Sequence, residues 1–174
     1  MRIGSLRAAI GALVVLAAAS SGAAGDSAPQ PTRLASQEAE LRVSLATTAA
    51  TVVHSDDSVK LNFPVRLAFA ADGMELLPTG SEVLDALARS LRDYKHTQLA
   101  IAVYTDAIGS IESNQQQSQA RADAILDYLK SKGVEGERMV AHGAGESAQL
   151  PAPNTPEGRD LNRRVELTIT TLSS

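Results

Sequence analysis

From Val59 to Ile169 the apolar residues switch repeatedly between a spacing of two and a spacing of three or four. Such a pattern can only be buried by strands interleaved with helices. Val59, Leu61, Phe63, Val65, Leu67 and Phe69 alternate with Lys60, Asn62, Pro64, Arg66 and Ala68, which predicts one long strand. Pro64 has no N–H to give a ladder, so an edge or a bulge is expected there. Thr51 to His54, followed by Ser55-Asp56-Asp57-Ser58, reads as a preceding strand and a turn that close a hairpin. Thr79 and Glu82 form a capping box, and Leu84, Leu87, Ala88 and Leu91 continue it as a helix from about Gly80 to Tyr94. Leu99, Ile101 and Val103 lie in a nearly unbroken apolar run, the mark of an inner strand. A second helix is expected from near Asn114, with Ser118, Ala122, Ile125, Leu126 and Leu129 buried, Gln115, Gln119 and Asp123 toward water, and Gly133 at its end. Met139 to His142 then reads as a short strand, Gly143 to Leu161 as a loop, and Val165, Leu167 and Ile169 as a last strand.

This order predicts an α+β two-layer sandwich: a small mixed sheet with two main helices on one face, strand-helix-strand-helix-strand-strand, preceded by the short hairpin strand. Before it, Leu34, Leu41 and Leu45 share a face of a short helix, with Gln37, Glu38, Glu40 and Arg42 elsewhere. Residues 1–24 read as a secretory signal, with Arg2 and Arg7 before the apolar stretch Ala8 to Ala19 and a small-residue cleavage site at Gly22-Ala23-Ala24. That stretch is well short of the roughly 20 residues a membrane-spanning helix needs. The expected division is therefore a signal peptide at 1–24, a proline-containing linker at 25–33, a helix-and-strand extension at 34–58, and a domain at 59–170.

A net charge of -4 argues against nucleic acid or an anionic membrane surface as partner. Cysteine is absent, which excludes disulfides, thiol nucleophiles, thiolate metal sites and the acylated cysteine of a lipoprotein. His54, His96 and His142 stand apart in the chain, and neither a His-Glu-x-x-His pair nor a Gly-x-Ser-x-Gly elbow occurs. No catalytic residue, metal or cofactor is expected.

Five fragments then stand in order: Tyr104-Thr105-Asp106; Asn114, Ser118, Arg121 and Ala122; Gly143-Ala144-Gly145-Glu146; Asn154 with Gly158-Arg159; and Asn162-Arg163-Arg164-Val165-Glu166. In this order and spacing they resemble the OmpA-like (OmpA/MotB C-terminal) peptidoglycan-binding domain, from about Val59 to Ile169. The resemblance implies non-covalent binding of the peptidoglycan peptide stem, chiefly its meso-diaminopimelate residue, in a Gram-negative envelope, by a periplasmic protein associated with the cell wall or outer membrane. Asp106 and Arg121 match the family's ligand-binding aspartate and arginine. Thr105 and Asn114 are placed to orient the loop or donate hydrogen bonds, and Phe69, Arg163 and Arg164 complete the candidate set.

The chemistry agrees with that assignment. A diaminopimelate side chain ends in a carbon bearing both an ammonium and a carboxylate, so its receptor needs an anion beside a planar double donor. The residues alone leave another role open, since an Asp after a strand often only shapes a turn and a helical Arg often only meets solvent or a surface carboxylate. A helix starting near Asn114 would add free N–H groups that favour a carboxylate. The sequence departs from the family where Val103-Tyr104 replaces the usual Gly-His, where Ala70-Ala71 follow Phe69 so that one acidic group is missing, and where Gln117 replaces a leucine, which should loosen packing. These departures leave a second function open, an envelope protein-interaction scaffold that has lost ligand binding. The oligomeric state is not legible in the sequence.

Overall fold

In the computed structural model, residues 32–172 apart from Asp56 and Asp72 are described. The expected signal segment, and the linker as far as residue 31, lie outside the described residues. The strands are β1 (Thr51–Ser55), β2 (Ser58–Pro64), β3 (Thr97–Tyr104), β4 (Met139–Gly145) and β5 (Arg164–Thr171). The helices are α1 (Arg33–Ser44), α2 (Val65–Ala68), α3 (Pro78–Asp93), α4 (Ile111–Ser131) and α5 (Pro156–Asn162). The strands form one mixed sheet in the order β1-β2-β5-β3-β4, with β3 and β4 parallel and every other pair antiparallel.

Alternation places Val59, Leu61 and Phe63 of β2, Leu99, Ile101 and Val103 of β3, and Val165, Leu167 and Ile169 of β5 in one apolar core. Leu84, Leu87 and Leu91 of α3 and Ala122, Ile125 and Leu129 of α4 belong to the same core. Burying each of the larger side chains stabilises the fold by about 1.5–3 kcal/mol. Leu126 is only partly buried, at the margin of the stripe.

Several expectations are corrected. β2 ends at Pro64 rather than running to Phe69, because the chain turns there into the one-turn helix α2. Val65 still donates its N–H to the Arg163 carbonyl at 2.8 Å, in register with β5, and the turn begins where Phe69 donates to the Val65 carbonyl at 2.9 Å. β2 is also an inner strand, and Pro64 is tolerated because it stands last in it rather than at a sheet edge. The Thr79-Glu82 capping box does not form. α3 starts instead with Pro78 in its first turn, and Thr79 donates its hydroxyl to the Leu67 carbonyl at 2.5 Å.

α4 starts three residues before Asn114, capped by the Ser110 hydroxyl, which accepts from the Ser113 N–H. Within the expected loop 143–161 lies α5, with Thr155 as cap and Pro156 in its first turn. Gln37 does not face water but is fully buried, donating to the Ser90 hydroxyl at 3.0 Å. His54 is not isolated, because its Nδ1 lies 2.7 Å from the Glu38 carboxylate. The segment 34–58 is integral to the fold, since β1 pairs with β2 along its whole length and Leu34, Leu41 and Leu45 join the core.

Candidate functional site

The site is built at the corner between β3 and α4. Where β3 ends, β4 carries one extra residue: Val103 pairs with Gly143 and Tyr104 with Gly145, leaving Ala144 as a bulge. Gly145 takes a φ of +51°, accepts the Thr105 N–H at 2.9 Å, and donates its own N–H to Ser118 at 2.9 Å. These bonds fix Thr105 and Asp106 just past the strand.

The approach of α4 to β4 depends on Gly143, where a methyl group would lie 2.1 Å from the Gln119 nitrogen. Gln119 and Gln115, expected to face water, grip this glycine. Gln119 Oε1 accepts the Gly143 N–H at 2.8 Å, and Gln115 Nε2 donates to the Gly143 carbonyl at 2.5 Å. An outer strand thereby has a backbone donor and acceptor satisfied by side chains.

Asp106 is 7% exposed, Thr105 4%, Asn114 6% and Arg121 4%. Asp106 takes Arg163 as its ion-pair partner, with Nη1 to Oδ2 at 2.5 Å, while Oδ1 accepts the Ile108 N–H at 3.2 Å. The other end of Arg163 donates to Asp160 at 3.1 Å, and Asp160 in turn accepts from Arg66 at 2.9 Å. Arg66 first, and Arg163 after it, hold the Asp160 carboxyl below the usual range against the opposing effect of burial. Asn114 donates to the Asp106 carbonyl at 3.3 Å and to the Glu146 carboxylate at 3.0 Å. Thr105 Oγ1 is buried without a hydrogen-bond partner among the described residues.

Arg121 lies on the same buried face of α4 as Asn114 and Ser118. Seven residues of helix separate Arg121 from Asn114 by about 10 Å along the axis, and long helical side chains lean toward the N-terminus, which shortens that gap. The lean is visible, since Arg121 Nη1 donates to Gln117 Oε1 at 3.4 Å, one turn earlier. Its guanidinium also donates to the Gly73 and Ala71 carbonyls at 3.4 Å each and lies 5.7 Å from the centre of the Phe69 ring. Gln117, read as a loss of packing, is exposed and serves as an acceptor for Arg121.

The remaining candidate stands apart. Arg164 points away from the core side of β5 that Val165 occupies, stacked 3.9 Å from the centre of the Tyr104 ring and bonded to Glu166 at 2.7 Å. The structure thus brings Thr105, Asp106, Asn114 and Arg163 into direct contact or sequence, sets Arg121 on Phe69, and sends Arg164 elsewhere. The expected free N–H groups at Asn114 are not there, because the Asn114 N–H bonds to the Ser110 carbonyl at 2.9 Å. Glu146 and Asp160 are site neighbours that sequence reasoning passed over, although Glu146 closed one of the fragments. Among the described residues no three His, Asp or Glu side chains gather in a way that could hold a metal ion, and no helix is long and apolar enough to cross a membrane.

Comparison with known proteins points one way. The chain is 35% identical over 136 residues to the Escherichia coli protein named "Probable lipoprotein YiaD", covering 78% of this chain and 62% of that one. It is 37% identical over 103 residues to the Peptidoglycan-binding protein ArfA of Mycobacterium tuberculosis, covering 59% of this chain and 32% of that one. The chain thus spans less than two thirds of the length of these curated relatives. Among solved structures, a MotB-like protein of Desulfovibrio vulgaris superposes with a TM-score of 0.71 at 25% identity, covering 79% of this chain and 93% of that one. A sequence model of the OmpA family matches residues 68–163, which takes in Phe69, Thr105, Asp106, Asn114, Arg121 and Arg163. With more than half of its length matched, on the elements that carry the corner between β3 and α4, the chain belongs to the OmpA family.

Proposed function

We propose that this protein binds peptidoglycan in the cell envelope without catalysing a reaction, gripping the zwitterionic end of a diaminopimelate side chain between Asp106 and Arg121. The observation that carries the reading is the burial of two opposite charges, Asp106 and Arg121, at one corner of the fold. The ligand group carries an ammonium and a carboxylate on one carbon, and Asp106 and Arg121 supply the complementary acceptor and planar donor. The name of the relative ArfA, a peptidoglycan-binding protein, supports the same conclusion.

Each residue then has a task. A carboxylate has about four acceptor sites. Asp106 uses one for Ile108 and one for Arg163, which leaves room for the ligand ammonium without expelling Arg163. Arg121, 5.7 Å from the centre of the Phe69 ring, is the planar donor for the ligand carboxylate, exchanging its long 3.4 Å bonds for it. Thr105 supplies a buried hydroxyl ready to bond, and Asn114 holds the Asp106 backbone in place. Arg163 keeps Asp106 oriented before the ligand arrives.

Competition tests the reading. Protein bound to purified sacculi should be released by meso-diaminopimelate and not by Nα-acetyl-lysine amide, whose side chain ends in an ammonium with no carboxylate on the same carbon. Equal release by the blocked lysine would show that no bidentate carboxylate contact operates. No release of bound protein by diaminopimelate would replace the clasp with the scaffold function.

A further inference from the structure

A cavity of about 700 Å³ that the clasp does not use lies between the sheet and α5. Its size falls among pockets that take small ligands. Asn62 and Pro64 of β2, Leu150, and Asp160 and Leu161 of α5 are among its walls. Leu161 is 61% exposed and Leu150 37%, an unusual outlay of large apolar surface at one spot. Its ionic groups are largely matched within the wall, Arg66 with Asp160 at 2.9 Å and Arg164 with Glu166 at 2.7 Å. A ligand there needs little charge.

Two features specify what that ligand is. The Asn62 side-chain oxygen is buried with no hydrogen-bond partner among the described residues. A primary amide carries one acceptor and two donors, the complement of a peptide group. Asp160 of the wall also shares the Arg163 guanidinium with Asp106, so wall and clasp stand one side chain apart. Sugar rings favour open aromatic faces, but the Tyr104 ring beside this wall is covered by Arg164.

We propose that the cavity is a second subsite, for an uncharged peptide segment with small apolar side chains that continues from the clasped residue. The inference rests on the clasp described above. Asn62 pairs with a peptide group, while Leu150, Leu161 and Pro64 pack against alanine-sized methyl groups. The cavity would thereby distinguish a stem extended by D-alanine from one that stops at diaminopimelate.

Calorimetric titration of the whole chain with two probes tests this, free meso-diaminopimelate and the tetrapeptide L-Ala-D-Glu-diaminopimelate-D-Ala with its D-Ala carboxyl amidated. Leu161→Ser and Asn62→Ala should each weaken the tetrapeptide by about fivefold or more, the scale of one lost contact, and leave free diaminopimelate unchanged. Unchanged tetrapeptide affinity in both variants overturns the proposal, as does an equal loss for both probes. So does a change of sedimentation coefficient in Leu161→Ser, which would make this face a contact between two copies of the chain. Failure of the clasp itself reads out separately, as Asp106→Ala binding free diaminopimelate like the wild type.

Discussion

Arg138, in the 3-10 turn before β4, ties together segments that are far apart in sequence. It is 8% exposed and donates to the carbonyls of Leu91 at 2.7 Å, Thr97 at 2.8 Å and Tyr94 at 3.3 Å, while its Nε meets Glu135 at 2.7 Å. These carbonyls close the end of α3 and open β3, so one guanidinium satisfies acceptors the helix leaves over. Arg138→Met should cost about 3 kcal/mol in urea denaturation, because buried acceptors are orphaned together. A cost near zero would mean that water replaces the guanidinium. Nothing in the sequence marks Arg138, since an Arg among Gly136-Glu137-Arg138 reads as solvated. Asp106 and Arg121 were legible only through their ordered neighbours. That Asp106 would take Arg163 was not, because the partner is 57 residues away and the turn of α5 brings it back.

At the scale of elements, the strands and main helices could be read where side chains alternate or recur with one period and one buried face. β3, α4 and β5 are of that kind, and their apolar registers stand as expected apart from Leu126 of α4. The misreadings lie where backbone chemistry overrides pattern. The alternation across Pro64 continues in name only, because beyond it the chain coils into α2 and Phe69 gives its N–H to the Val65 carbonyl. α5 was hidden in a Gly- and Pro-rich stretch, although Thr155-Pro156 is itself a cap followed by a first-turn proline. Thr155→Ala should cost about 1 kcal/mol, since the Gly158 N–H loses its acceptor. It should also lower peptidoglycan affinity if α5 positions Asp160 and Arg163.

Acid should act on the ion pairs within and between elements. Arg42 foremost holds the Glu38 carboxyl below its usual value, Lys132 does so for Asp85, and Arg66 for Asp160, each against the effect of burial. A carboxyl depressed in the folded state contributes stability above its unfolded pKa and loses it as pH falls through the folded value. The thermal midpoint should therefore drop as pH is lowered from about 4.5 downward, with little change from these groups above it. Asp160→Asn should flatten part of that fall.

For the whole molecule, the sequence suggested a domain from Val59 with a helix-and-strand extension at 34–58 before it, and that extension packs on the sheet. β1 covers the outer side of β2, and Leu34, Leu41 and Leu45 are nearly fully buried. Removing residues 1–58 exposes a long strand edge and takes away three buried leucines, at about 1.5–3 kcal/mol each. Such a truncated chain should melt far lower than the full chain, or aggregate on expression. An unchanged melting temperature would show α1 and β1 to be accessory.

The central claim is that Asp106 and Arg121 together grip a zwitterion of the cell wall, and co-sedimentation with purified sacculi tests it most directly. Asp106→Ala and Arg121→Ala should each lower the affinity for sacculi by more than tenfold, in variants whose circular dichroism shows them still folded at the assay temperature. The loss of one partner of a desolvated charge pair costs about 2–5 kcal/mol. Arg121→Lys should rescue poorly, because an ammonium cannot offer a bidentate fork. The double variant should be little worse than either single one, since both act on one ligand group. If both alanine variants sediment with sacculi like the wild type, the clasp is contradicted.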